Sequence, residues 1–384
     1  MLNRTKDILA DLIAFPTISP DSNLELITYL CAHFEVLGAR CMTLHSEDGR
    51  KANIFATLGP DAPGGIVLSG HTDVVPVADQ DWASDPFEML ERDGKLFGRG
   101  TCDMKGFVAA AMALAETLDA NSLTKPLHFA FTYDEETGCL GGQHLVRELA
   151  ARGITPDIAI IGEPTEMRVM EGHKGCYEYT THFTGLEGHG SAPDAGVNAA
   201  EYAARYVSKL LDLREALKGR APATSAFEPP WTTINVGRVA GGVAHNVIAG
   251  KAEVDWEMRP VQISDADFVK GALENYVDDT LLPAMHAVHP EAGITLETIA
   301  EVVGLEPMDD NAARDLVTEL TGANRVDLVA FGTEAGLFQQ LGTSAVVCGP
   351  GSIAQAHKPD EYIEIDQLDQ CCKMLERLGR RLSS

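Results

Sequence analysis

Positive charge is what this sequence has least of: 30 lysines and arginines stand against 57 aspartates and glutamates, a formal net charge of −27 over 384 residues. That balance argues against nucleic acid and anionic membranes as partners, because both reward basic surfaces. Long apolar runs are missing as well. No stretch reaches the roughly 18 consecutive apolar residues that a membrane span needs, and the opening segment, charged at Arg4, Lys6, Asp7 and Asp11, lacks the apolar core of a signal peptide. The expected setting is the cytoplasm. Cysteine is sparse and unpatterned, eight residues with Cys371 and Cys372 adjacent, so reduced thiols are expected rather than a disulfide framework. An apolar fraction of 45% is ordinary for a folded chain, and the length allows two domains with cores of their own.

What the sequence does contain is a set of strand-like apolar runs that stop at acidic or imidazole side chains. Residues 66–68 read as a buried strand, which brings His71 and Asp73 out at its carboxyl end, where open α/β sheets collect ligands. Residues 127–133 run into Asp134-Glu135-Glu136, residues 157–161 into Gly162-Glu163-Pro164, and residues 345–348 through a glycine-containing approach to His357. Asp103 follows Gly98-Arg99-Gly100-Thr101-Cys102 and opens an alanine-rich, helix-like run over 107–118, where capping is an ordinary use for aspartate. Further helices are expected over 5–15, from a Ser22/Glu25 capping box to Leu37, over 313–320 and over 366–382, with strands over 52–58 and 65–69 and a loop over 331–336.

The texture changes near residue 176. Strands are expected over 177–183, 232–239 and 249–259, with helices from Asn198 to about 217 and over 268–281. Val254, Trp256 and Met258 alternate with Glu253, Asp255 and Glu257, the mark of an antiparallel strand with one wet face. The expected fold is therefore α/β: a catalytic metal-binding domain from 1–175 and 301–384 around a mixed, largely parallel sheet, interrupted by an inserted α+β domain over 176–300.

Any one of these side chains alone is ordinary surface charge. Together, His71, Asp103, Glu136, Glu163 and His357 form a set of two imidazoles and three carboxylates that suits zinc or cobalt better than calcium or magnesium, which seek oxygen alone. Three carboxylates and a hydroxide balance two divalent cations, which requires one carboxylate to bridge the pair. Asp73 is then free to accept the second ring N–H of His71. Glu135 is left to take a proton from water and return it to a leaving amine.

The strings SGHTDVVPV, GRGTCDMKG, DEETG, GEPT and AFGTEAGLFQQLG…VVCGPGSIAQAHKPDEY resemble the dizinc amidohydrolase and peptidase family that includes acetylornithine deacetylase, succinyl-diaminopimelate desuccinylase, aminoacylase and glutamate carboxypeptidase. The resemblance spans nearly the whole chain and is nearest to the deacetylases in EGHKG, FTGLEGHGSAPDAGVNA, DWEMRP and CGPGSIAQAHKPDE. It implies a zinc-peptidase-like fold in which Asp103 bridges, His71 and Glu163 hold one metal, and Glu136 and His357 hold the other. Asp73 would orient His71 and Glu135 would be the general base. It also implies that the inserted domain is a lid carrying a homodimer interface, with His189 donating to the oxyanion and Asn246 and Arg259 holding the substrate. From the residues alone, a solvated His189 and a surface ion pair at Arg259 remain open. Gly190 stands where relatives often carry serine. The implied reaction is hydrolysis of an N-acyl amino acid, N2-acetyl-L-ornithine first, with another deacylase, a desuccinylase or a dipeptidase as alternatives. A silent metal- or amino-acid-binding dimer is the alternative from outside the enzymes. Glu334 is a candidate for reading a substrate amine.

Overall fold

A computed structural model describes residues 1–329 and 331–383. Ala330, the first residue of the AFGTEAG string, lies outside the described residues. The chain divides into two compact units: the first is Met1–Gly172, Pro307–Val329 and the chain from Thr333 onward, and the second is His173–Glu306 with Phe331 and Gly332.

The first unit is built on an eight-stranded sheet. Its strands are β1 (Arg40–His45), β2 (Ala52–Leu58), β3 (Ile66–His71), β4 (Leu127–Thr132), β5 (Ile158–Pro164), β6 (Met170–His173), β7 (Asp327–Val329) and β8 (Ser344–Gly349), in the order β1-β2-β4-β3-β5-β8-β6-β7. The sheet is mixed, and its centre is parallel. β3 pairs in parallel with both β4 and β5, and β5 with β8, while β1–β2, β2–β4 and β8–β6 are antiparallel. β2, β3 and β4 are buried at every position, as strands covered on both faces must be. Four parallel neighbours direct their carboxyl ends to one edge, and that edge collects the side chains singled out above.

Helices α1 (Leu2–Ile13), α3 (Gly106–Thr117) and α6 (Ile365–Leu382) pack against one another, with Ile8, Leu9 and Leu12 of α1 and Leu375 and Leu378 of α6 in the same core as α3. α3 is buried from Gly106 to Ala115; its run of alanines favours helix and lets neighbours approach closely. Helices α2 (Leu24–Val36), α4 (Leu140–Ala151) and α5 (Ala312–Thr321) complete the longer helices of this unit.

Three expectations change. The Ser22/Glu25 capping box does not form: α2 begins at Leu24 and the Ser22 hydroxyl donates to the Arg50 carbonyl at 2.6 Å. Asn23 gives up side-chain capping to grip both backbone groups of Ala52 and to donate to the Thr72 hydroxyl, which pins the residue beside His71. Asp103 is not an N-cap, because α3 begins at Gly106 after an irregular segment in which Asp103 has non-helical angles and the Asp103–Met104 peptide is cis. The supposed loop over 331–336 ends in a short helix, Ala335–Gln340.

Gly162 precedes Glu163 for a packing reason. A Cβ there would run into the Phe107 ring of α3, and the Gly162 carbonyl in turn occupies the space of a side chain at Gly349 on β8. Close approach of α3 and two strands thus sets where Glu163 emerges.

The second unit holds a four-stranded antiparallel sheet in the order Thr233–Gly241, Lys251–Arg259, Cys176–Thr184, Gly293–Val302. The helices Ala199–Lys218 and Ile263–Tyr276 contribute to its core, where Trp256 stacks on Tyr179 at 4.6 Å and donates to the Thr181 hydroxyl. Val254, Trp256 and Met258 are buried while Glu253, Asp255 and Glu257 are half-exposed. Asn198 caps the longer helix through the backbone N–H groups of Ala200 and Glu201. The strand Gly293–Val302 was not anticipated. No described helix of the chain is long and apolar enough to cross a membrane, and all eight cysteines are free thiols.

Candidate metal centre

His71 is the last residue of β3 and is buried. Its Nδ1 donates to the backbone carbonyl of Asp73 at 2.8 Å, which turns Nε2 toward Asp103 Oδ1 at 3.1 Å and Glu163 Oε1 at 3.9 Å. The sequence led us to expect the Asp73 carboxylate in that role. Its Oδ1 lies 3.6 Å from Nδ1, beyond hydrogen-bond range, because the nearer carbonyl of the same residue takes the proton. The carboxylate instead accepts from the Ser19 hydroxyl at 2.8 Å and from the backbone N–H groups of Glu135 and Glu136 at 3.1 and 3.3 Å. Asp73 thus fixes His71 with one atom and the paired glutamates with others.

His357 Nε2 lies 3.1 Å from Glu136 Oε2 and 3.5 Å from Asp103 Oδ2. Each oxygen of Asp103 therefore faces a different imidazole, the arrangement a bridging ligand requires. Ligand atoms of His71, Asp103 and Glu136, and likewise of His71, Glu135 and Glu163, lie within 4.8 Å of one another. Glu163 Oε1 is buried without a hydrogen-bond partner. Four carboxylates with two imidazoles and an orphaned oxygen fit a cation-binding site, and the mixed nitrogen and oxygen donors fit a borderline-soft divalent ion.

Electrostatics point the same way. Burial, with the neighbouring carboxylates, pushes Glu135 and Glu163 well above the usual carboxylate range, and Glu136 is raised for the same reasons. Asp103 moves down: burial opposes its ionisation, but hydrogen bonds from His357 and His71 outweigh it. The hydrogen bonds to Asp103 and Glu136 push His357 up to about 10. The cluster has more negative charge than its imidazoles neutralise, which is the condition that cations relieve.

A model of peptidase family M20/M25/M40 matches residues 67–381. The chain belongs to that family. It is a metallohydrolase that acts on amides. Among curated relatives, acetylornithine deacetylases of Shigella sonnei (strain Ss046) and Salmonella typhimurium (strain LT2) are each 38% identical over 365 residues, covering 93% of this chain and 92% of theirs. Among solved structures, an M20 family metallo-carboxypeptidase from Sulfolobus solfataricus superposes with a TM-score of 0.74 at 19% identity, covering 99% of each chain. An aminopeptidase from Bacillus cereus does so at 0.73 and 16%, covering 100% of this chain and 99% of its own. At such identities these two structures speak for the fold alone.

In this M20/M25/M40 chain the remaining candidates belong to the second unit. His189 is exposed on the two-residue strand Gly188–His189, its Nδ1 2.8 Å from the Ser191 hydroxyl. That strand pairs with Val247–Ile248, and Gly190 donates its N–H to the Asn246 carbonyl at 2.8 Å, so His189 and Asn246 lie at the same end of one two-stranded ladder. A side chain at Gly190 would meet the Asn246 backbone at 2.9–3.1 Å, which accounts for glycine there. Arg259 ends its strand with the guanidinium on Glu257 at 2.7 Å and Glu178 at 3.7 Å, so a substrate carboxylate has to compete with two glutamates.

Glu334 does not fit the substrate-reading role considered for it. It is 1% exposed, and its carboxyl accepts from Thr132 Oγ1 at 2.5 Å and Ser69 Oγ at 3.3 Å, behind the ends of β4 and β3. Burial pushes it from the ordinary 4.5 up to about 7, against the opposing pull of Thr132 and His71. Between those values the folded chain holds a proton that the unfolded chain has released, so stability falls as pH rises through that window. Glu334→Gln removes the cost of ionising this group. In metal-free protein its melting temperature should therefore gain on wild type at pH 8 relative to pH 4.5, by at most about 3 kcal/mol in stability terms. Thermal unfolding at both pH values checks this; the same difference at each would sink it.

Residues the sequence did not flag also touch the site. Cys139 Sγ donates to Glu135 Oε1 at 3.4 Å, Ser19 reaches Asp73, and Glu361 receives the backbone N–H of Asp103. For Glu361 one signal was available, since it lies four residues after His357 in the same AHKPDEY string.

Proposed function

We propose that this chain hydrolyses the amide bond of an N-acyl amino acid, with N2-acetyl-L-ornithine as its substrate and L-ornithine and acetate as products, a step of arginine biosynthesis. The reaction rests on the convergence of His71, Asp103, Glu136, Glu163 and His357 with one further carboxyl, Glu135, beside them. The choice of substrate rests on the near full-length likeness to proteins named acetylornithine deacetylase.

In this reading His71 and Glu163 hold one cation, Glu136 and His357 the other, and Asp103 spans both. Zinc fits the donor set, and cobalt is the alternative. Two such cations supply Lewis acidity toward the amide carbonyl and make the attacking water more acidic. Glu135 takes one proton from that water on a carboxylate oxygen and delivers it to the departing nitrogen, so that OH ends on the acyl carbon and H on the amine. Asp73 orients the acid–base residue and its neighbour by holding both backbone N–H groups, and His71 through its own carbonyl. His189 donates to the oxyanion, and Asn246 and Arg259 engage the amino-acid end of the substrate. The inserted segment 176–300 acts as the lid and as the interface of a homodimer, and the cytoplasm is the place of work.

The deciding measurement is the initial rate of zinc- and cobalt-loaded protein on N-acetylornithine, N-acetylmethionine, N-succinyl-diaminopimelate and a dipeptide. N-acetylornithine should lead in kcat/KM by roughly ten- to a hundredfold. Equal rates on N-acetylmethionine would move the function to a general aminoacylase, and no turnover on any of the four would point to another acyl group or revive the silent binding protein.

A further inference from the structure

The segment 98–105 carries Asp103 without regular secondary structure, so its backbone N–H groups need partners from elsewhere. One side chain supplies three of them. Glu361, 1% exposed, accepts from Cys102 N and Asp103 N through Oε1 at 2.9 and 3.1 Å, and from Gly100 N through Oε2 at 3.0 Å. Its backbone carbonyl accepts from Gly98 N at 3.0 Å.

Oε2 also takes Arg99 Nη1 at 2.7 Å, and Arg99 is itself 1% exposed. From there the network turns toward the other ligand. Arg99 Nη1 donates to the Lys358 carbonyl at 3.2 Å and Nη2 to Gln80 Oε1 at 2.6 Å, while Gln80 Nε2 donates to the carbonyl of His357 at 2.9 Å. His357 has a φ of +62°, a left-handed conformation that a non-glycine residue keeps only where its surroundings hold it. His71 and Glu163 need no such network. They are carried by β3 and β5, which are paired with each other along the sheet.

We propose that Glu361, through Arg99 and Gln80, is the positioning residue for the Asp103–His357 half of the metal centre. It fixes the backbone of both ligands, from distant parts of the chain, before any cation arrives. Neither Glu361 nor Arg99 coordinates a metal or touches substrate. This inference rests on the two-cation reading above and says which half of the site depends on which residues.

The test is a zinc titration of metal-free protein against a chromophoric chelator, with metal analysis and near-UV circular dichroism on each variant. Wild type should take two equivalents. Glu361→Gln should bind the second about 10- to 100-fold more weakly and the first, which keeps His71 and Glu163 but shares Asp103, by less than that. Breaking a buried ion pair can prevent folding, so Gln80→Ala provides a second variant at a partly exposed position that binds the His357 carbonyl and Arg99 and makes no bond to the Asp103 segment itself. It should weaken the second equivalent in the same direction and leave the first unchanged. Two equivalents at wild-type affinity in folded Glu361→Gln would overturn the proposal, as would an unchanged second equivalent in Gln80→Ala where Glu361→Gln does not fold. A wild-type chain that takes up no zinc would remove the two-cation reading itself, an outcome visible before any variant is made.

Discussion

Replacing Glu135 by glutamine is expected to lower kcat by about 10²- to 10⁴-fold, the span that a positioned acid–base group contributes, while metal content stays at the wild-type value. The amide matches the carboxylate in size but cannot accept and return a proton. Its position should survive the change, because Asp73 holds the backbone N–H of residue 135 and not the side chain. The raised proton affinity of Glu135 comes first from burial and then from Glu136, Glu334 and Asp103, against the pull of His71. Geometry alone also offers Glu135 as a ligand, since its oxygen groups with His71 and Glu163 within 4.8 Å. Metal analysis separates the two roles. A Glu135→Gln protein with full metal and little turnover marks an acid–base residue; one that has lost a cation marks a ligand.

How much of this was legible in the sequence follows from what each residue leans on. β2 matches its expected bounds, and His71 and Glu163 were placed at strand ends, because central parallel strands are apolar throughout and their ends are abrupt. Some strands at sheet edges were not seen, though the edge strand Thr233–Gly241 was. β1 pairs on one side only and shows mostly half-exposed or exposed residues, and Gly293–Val302 lies at the end of its sheet with half of its residues exposed and one buried. Neither carries the burial pattern that periodicity detects. Asp103 was found as a residue but misread in its setting, since a turn held by Glu361 leaves no period in the chain. Asp73 and Glu361 show the same limit: their partners are backbone N–H groups, present at nearly every position, so spacing in the sequence cannot name them. The capping box at Ser22 failed for the converse reason, a local rule overridden by the Arg50 carbonyl 28 residues away.

Asp103→Ala should have the largest effect on metal content. Asp103 presents Oδ1 to His71 and Oδ2 to His357, so losing it removes a donor from both halves of the centre. The expectation is that both equivalents of zinc weaken by more than about 100-fold, beyond the cost typical of losing an outer partner of a ligand, and that turnover falls to background. The surrounding segment should hold, because Glu361 binds backbone N–H groups that alanine retains. His357→Ala supplies the contrast: with His71, Asp103 and Glu163 intact, one equivalent should remain. Equilibrium zinc titration of the two variants, with thermal unfolding of the metal-free proteins to verify that each is folded, separates a bridge from a terminal ligand. If Asp103→Ala retains one tight equivalent as His357→Ala does, the aspartate serves a single cation and the bridge must be sought among Glu135, Glu136 and Glu163.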